Sequence, residues 1–148
     1  MPRVLLLISI ALAVGAFVLV SVALTRVLSA KGTERSAVVE LIEAQARGDW
    51  AAVVADLAGC AADARCRVRT GSIVRRLRRA GTVQILRFDP SSGLALRGGE
   101  GKARVAWRAG QALPVVQCVT VSRAGSLLRG FHVRLRALSR PIALEGSC

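Results

Sequence analysis

The chain has 148 residues, 53% of them apolar, 21% charged and 3% aromatic; 22 Lys and Arg face 9 Asp and Glu, for a net charge of +13. The apolar share speaks against a disordered chain despite the charge, and the length speaks against two full domains, since ~100–150 residues is usual for one. Two unlike parts are averaged here: Val4–Leu24 carries no charged side chain, whereas residues 31–148 hold 20 basic and 9 acidic ones, leaving +11.

Val4–Leu24 is an uncharged run broken only by Ser9, Gly15 and Ser21. At about 1.5 Å per residue it reaches roughly 30 Å, the thickness of a bilayer's hydrocarbon core. The competing reading is a cleaved signal peptide, whose apolar stretch is typically ~7–15 residues. Ser21-Val22-Ala23 would suit a peptidase but lies inside the run, and Leu28-Ser29-Ala30 has Leu where a small residue is preferred. The expectation is an uncleaved single-pass anchor in the cell membrane, with residues 1–30 as anchor and juxtamembrane linker. Arg3 precedes the run, while Arg26, Lys31 and Arg35 follow it. These cations do not favour an external C-terminus. All four cysteines follow the run, however, and an even number suits an oxidising compartment. Residues 31–148 are therefore expected to form an extracytoplasmic domain, because long domains are exported largely regardless of charge.

Residues 25–32 read as a linker. Thr33 then suits a helix cap, with Glu34 in the first turn and Ala37, Val38, Leu41, Ile42 and Ala44 at helical spacing up to Gly48. Asp49 caps a second helix with Trp50, Val53, Val54 and Leu57 on one face. Cys60 and Cys66 bound a loop that a disulfide can close. Ser72–Ala80 reads as a third, short helix with Ile73, Val74 and Leu77 inward, ended by Gly81. From there the period changes to two: Thr82–Asp89, a Pro90–Gly93 turn, Leu94–Arg97, a Gly98–Gly101 turn, Lys102–Ala109, Leu113–Arg123 and Arg129–Leu138. Phe131, Val133, Leu135 and Ala137 of the last run alternate with His132, Arg134 and Arg136. Helices followed by an antiparallel meander imply an α+β fold. Of the three connectivities that four cysteines allow, Cys60–Cys66 with Cys118–Cys148 is preferred, the second stapling the last residue to a strand. Zinc would call for paired C-x₂₋₄-C spacing or accompanying histidines. Neither occurs, so no metal or cofactor is expected.

The helix–Gly48-Asp49-Trp50–helix opening, the short third helix and the meander together resemble the nuclear-transport-factor-like (cystatin-like) cone fold. Leu113-Pro114-Val115-Val116-Gln117-Cys118-Val119, and Leu138-Ser139-Arg140-Pro141-Ile142 with terminal Cys148, resemble small membrane-anchored proteins of high-GC actinobacteria. The first likeness implies a cone-like domain of about three helices packed on a curved sheet of four to five strands. The second brings no established activity.

Two basic groups stand out. Arg65, Arg67, Arg69, Arg75, Arg76, Arg78 and Arg79 crowd the third helix, and Lys102, Arg104, Arg108, His132, Arg134 and Arg136 share the outward face of two strands. They suit an anionic lipid, a cell-wall polymer or an acidic envelope protein. The competing reading is a solvated face in a chain with 20 Arg and 2 Lys. Nucleic acid is the poorer match, because aromatics for base stacking are missing from the basic runs. Cone-fold enzymes resemble one another in using a pocket acid or His, often with Tyr; this chain has no Tyr and one His. Asp56 and Asp63 flank the cysteine loop with no base near them in sequence, and Asp89, next to Pro90 at a strand end, reads as shaping the turn. The function expected is a non-catalytic accessory or interaction domain with a basic surface, the alternative being a small-molecule-binding or catalytic cone. Trp50 and Trp107 could line a pocket, but each sits on the apolar face of its element and reads as core.

Overall fold

The computed structural model describes residues 2–91, 97–126 and 130–148. Among these it has three helices, α1 (Pro2–Arg47), α2 (Trp50–Asp56) and α3 (Ala64–Leu77). Four strands follow, β1 (Val83–Asp89), β2 (Arg97–Ala109), β3 (Val115–Ser126) and β4 (Gly130–Leu138). The strands form one open antiparallel sheet in the order β1-β2-β3-β4, so the α+β architecture is as expected. Of the expected strand Leu94–Arg97, residues 94–96 lie outside the described residues and Arg97 begins β2, which runs on through the expected Gly98–Gly101 turn to Ala109.

The first departure is α1. Instead of a linker over 25–32 and a new helix at Thr33, one helix runs from Pro2 to Arg47. Nothing in that stretch stops it: there is no proline, and Gly32 costs only ~1 kcal/mol relative to alanine. The hydroxyls of Thr25, Ser29 and Thr33 donate to the carbonyls four residues back, at 2.8, 2.9 and 3.0 Å, so they ask for no partner outside the helix. Leu6–Thr25 is long and apolar enough to cross a membrane and none of it is covered by the rest of the chain.

The second half of α1 lies against the sheet. Val38, Leu41 and Ile42 are buried in one core with Val105, Trp107, Val119 and Val121, and Gln45 and Gln117 are buried beside it. The two amides close this layer: Gln45 Nε2 donates to Gln117 Oε1 at 2.9 Å, Trp107 Nε1 donates to the same oxygen at 2.9 Å, and Gln117 Nε2 donates to the Ser139 carbonyl at 2.9 Å. Each group buried there has a partner, which is what makes polar atoms tolerable in a core. Trp107 is core, as expected.

The third helix starts eight residues earlier than the expected Ser72. Asp63 caps it, accepting from the Arg65 and Cys66 N–H groups at 2.8 and 3.3 Å. Thr70, Ile73, Val74 and Leu77 are its buried stripe. Arg65, Arg67 and Arg69 masked that periodicity in the first two turns. The helix ends at Leu77, where Arg78 turns extended, before Gly81 is reached.

Register shifts interrupt two ladders. Opposite Ile85–Arg87 the pairing jumps from Trp107 to Ala106, and opposite Thr120–Val121 it jumps from Ala137 to Leu135. The second bulge, at Arg136, moves the inward position from Ala137 to Leu138, so Ala137 is exposed and Leu138 buried. Beyond β4 the chain continues beside β3, with Ser139 and Ile142 N–H groups donating to the Cys118 and Val116 carbonyls at 2.9 and 2.8 Å. Both preferred disulfides are present, Cys60–Cys66 and Cys118–Cys148, with Cα separations of 5.2 and 5.8 Å. The second fixes the C-terminus on the outer face of the sheet.

Candidate interaction surface on the third helix

Asp49 and Asp63, the acids flanking α2 and the start of α3, have their carboxylates turned to helix N–H groups. Asp63 shares a groove with Arg65 and Arg69 without forming an ion pair with either. Among the described residues the ion pairs are Glu43–Arg47, Asp89–Arg87, Asp89–Arg104 and Glu34–Arg123, and none includes Arg65, Arg67, Arg69, Arg75, Arg76, Arg78 or Arg79. Arg75 and Arg76 lie in the last turn of α3, where the helix dipole favours cations. Arg78 lays its aliphatic stem across Gly48, whose missing side chain makes the room.

Trp50 is not core. It is 44% exposed, and its ring lies over Gly71 of α3 while Nε1 donates to the Arg67 carbonyl at 3.3 Å. The reason is positional: Trp50 is the first residue of α2, so its side chain leans off the helix end onto α3, whereas Val53 and Val54 one turn on enter the core. Val68, 75% exposed, stands between two shallow grooves. One, of about 460 Å³, is lined by Trp50, Arg67, Val68, Gly71 and Arg75; the other, of about 540 Å³, by Ala64, Arg65, Val68, Arg69, Ser72 and Arg140.

The second basic group divides. Arg104 is largely withdrawn from solvent and holds the tail: Nε donates to the Gly146 carbonyl at 2.9 Å, the guanidinium also meets the Leu144 carbonyl, and Asp89 Oδ2 lies 3.3 Å away. Lys102 donates to the Cys148 carbonyl at 3.2 Å and Arg108 to Gln84 at 2.9 Å. His132, Arg134 and Arg136 are exposed, on β4, which β3 separates from β2. The two groups meet at α3: Arg65, Arg69 and Arg136 line one groove of about 290 Å³, and Arg69 and Lys102 share another of about 380 Å³.

The Arg87 guanidinium, hydrogen-bonded to both Asp89 oxygens, holds that carboxyl below the ordinary value, with Arg104 adding to the effect against a smaller opposing cost of desolvation. Among the described residues no three His, Cys, Asp or Glu side chains gather as a metal site would require. Trp107 and Gln117 are fully buried side chains of the sheet.

One buried pair escaped the sequence reading. Glu34 is fully buried in mid-helix, not in a first turn: Oε1 accepts from the Ser91 N–H at 2.6 Å and Oε2 from Arg123 Nε at 3.0 Å. The signal was present, since Glu34, Val38, Leu41 and Gln45 share one helical face, with a polar residue at each end. No family model, curated protein or solved structure matches this chain.

Proposed function

We propose that the chain is a single-pass membrane-anchored, extracytoplasmic, non-catalytic interaction domain of the cell envelope that meets an anionic partner through its α3 surface. One observation carries the reading: seven arginines between Arg65 and Arg79, none in an ion pair among the described residues. Folding does not need so many like charges on and just beyond one helix, and their mutual repulsion costs stability that a bound anion would return. The apolar Leu6–Thr25 helix and the two disulfides support the placement outside the membrane. Kinship with the cone fold and with small anchored actinobacterial proteins belongs to the same proposal, supported by the helix–Gly48-Asp49-Trp50–helix opening and the meander that follows.

The test uses the full chain in nanodiscs of zwitterionic lipid. Labelled polyglutamate should bind and lose affinity as salt rises. Changing Arg75, Arg76, Arg78 and Arg79 together to Gln should weaken it at least about tenfold, since neutralising several contacts at once removes more than one such increment. Unchanged affinity in that variant, or binding indifferent to salt, would refute the surface assignment. Placement is tested by lysing cells directly into denaturant with a maleimide and no reductant, where no cysteine should be labelled because both disulfides have formed; labelling of four free thiols would refute export.

A further inference from the structure

The grooves on either side of Val68 combine arginine with exposed apolar surface, and the length of α1 sets where they stand. Resting on the interaction reading above, we infer that this face docks an acidic polypeptide segment carrying apolar side chains, belonging to another protein, rather than a lipid headgroup.

Height argues against lipid. From Thr25, the end of the apolar stretch, to Gly48 the unbroken helix and its end rise about 34 Å, or about 26 Å at a tilt near 40°. The far end of α1 lies beside α3: the Arg79 N–H donates to the Ala46 carbonyl at 2.9 Å, and Trp50 begins α2 next to it. Fields of exposed charges fade over about 8 Å at physiological salt. The membrane that holds α1 is thus several screening lengths from Arg75 and Trp50.

Chemistry argues against a bare polyanion. Trp50 is pinned, its indole nitrogen tied to the Arg67 carbonyl and its ring seated where Gly71 has no side chain. A ring already held loses little freedom on binding, and a rigid tryptophan beside arginine is the composition of interface hot spots. Val68 projects between the two grooves, so a ligand crossing α3 meets apolar surface at its centre and guanidinium on both sides. A phosphodiester or sugar-acid polymer would satisfy the arginines and leave Val68 wet. A peptide alternating Asp or Glu with Leu, Ile or Phe satisfies both.

The experiment selects binders from a random peptide library displayed on phage, using the full chain in zwitterionic nanodiscs as bait. Selected sequences should be enriched in both acidic and apolar residues. A synthetic peptide of the leading sequence should lose about tenfold in affinity when its apolar residues become Ser, and similarly against Val68→Ser, a change at an exposed position that leaves the core intact. Arg75→Gln should weaken it and flatten its salt dependence. Selected sequences that are acidic only, or affinity unmoved by Val68→Ser, would overturn the docking proposal while polyglutamate binding keeps the broader reading alive. No enrichment of acidic sequences would overturn it as well. Tighter binding to a single-stranded oligonucleotide than to the peptide would reassign the face to nucleic acid, and competition by anionic lipid in the nanodisc would reassign it to the membrane.

Discussion

Glu34 has no exposed surface, and its two carboxylate oxygens take the Ser91 N–H and the Arg123 guanidinium. Arg123 also donates to the Ser91 carbonyl at 3.0 Å, so one helix residue fastens the ends of β1 and β3. Removing the acid strands a guanidinium whose side chain is 14% exposed. Glu34→Ala should cost about 3 kcal/mol, the low end for a broken buried pair because Arg123 can turn partly to water. Glu34→Gln, which keeps an acceptor, should cost less. Urea melts of the detergent-solubilised chain measure both, and a loss below about 0.5 kcal/mol for Glu34→Ala would mean that the pair does not hold the end of the sheet. Asp89 gives a pH-dependent counterpart. Its carboxyl is lowered from 3.8 by Arg87 first, so the folded state binds that proton more weakly than the unfolded state. Its contribution is therefore complete above about pH 4 and fades as pH falls through the lowered value. Melting temperatures between pH 2 and pH 5 should fall more steeply for the native chain than for Asp89→Asn, and parallel curves would show that the Arg87 and Arg104 contacts do not favour the charged form.

At the level of elements, backbone space decides how much a substitution costs. Gly59 and Gly81 both have positive φ, 82° and 101°, but a side chain at Gly59 would meet nothing within 4 Å, whereas at Gly81 it would come 2.8 Å from the Gly110 Cα. Gly59→Ala should cost about 1 kcal/mol, the conformational term alone. Gly81→Ala should cost at least about 1 kcal/mol more, because backbone must move at the junction of α3, β1 and the β2–β3 turn. Equal melting shifts for the two would show that the Gly81–Gly110 approach is not constraining. The legible features followed the same division. The helix cap at Asp49, the inward alternation Ala103-Val105-Trp107-Ala109 and the Cys60–Cys66 disulfide could be read because each depends on neighbours in sequence, and Cys118–Cys148 was then the pairing left by four cysteines. The bulge at Arg136 could not, since one skipped residue is decided by what β3 offers opposite. The continuity of α1 was obscured by Gly32 and Thr33, which look like a break and a cap but serve as ordinary helix positions once the hydroxyls bond backward. Of the interaction surface, the arginines were visible as composition. Trp50 was misassigned because its helical spacing to Val53 and Val54 is that of a core residue, while its place at the helix end turns it outward.

For the whole molecule, the long helix makes the domain's height above its anchor a geometric quantity. Glu34 lies against Arg123, and eleven residues later Gln45 lies against Gln117, a helix rise of about 16 Å against about 20 Å along β3. α1 and β3 therefore run nearly side by side in opposite directions, and the end of the domain that carries Glu34 is the end nearer the apolar stretch. The chain's two tryptophans both lie toward the far end, one 44% exposed and the other fully buried. In nanodiscs, iodide should quench Trp50 and leave Trp107 emitting, removing part but not all of the fluorescence. Its efficiency should exceed that of a cationic quencher, because the arginines of α3 gather anions around Trp50. Brominated lipid should quench neither, since about 26 Å separates the site from the end of the apolar stretch even in a strongly tilted helix. Quenching by brominated lipid would mean that the helix bends between Thr25 and Glu34 and lays α3 on the bilayer. The arginines would then be headgroup contacts, and the docking of an acidic segment would lose its geometric support.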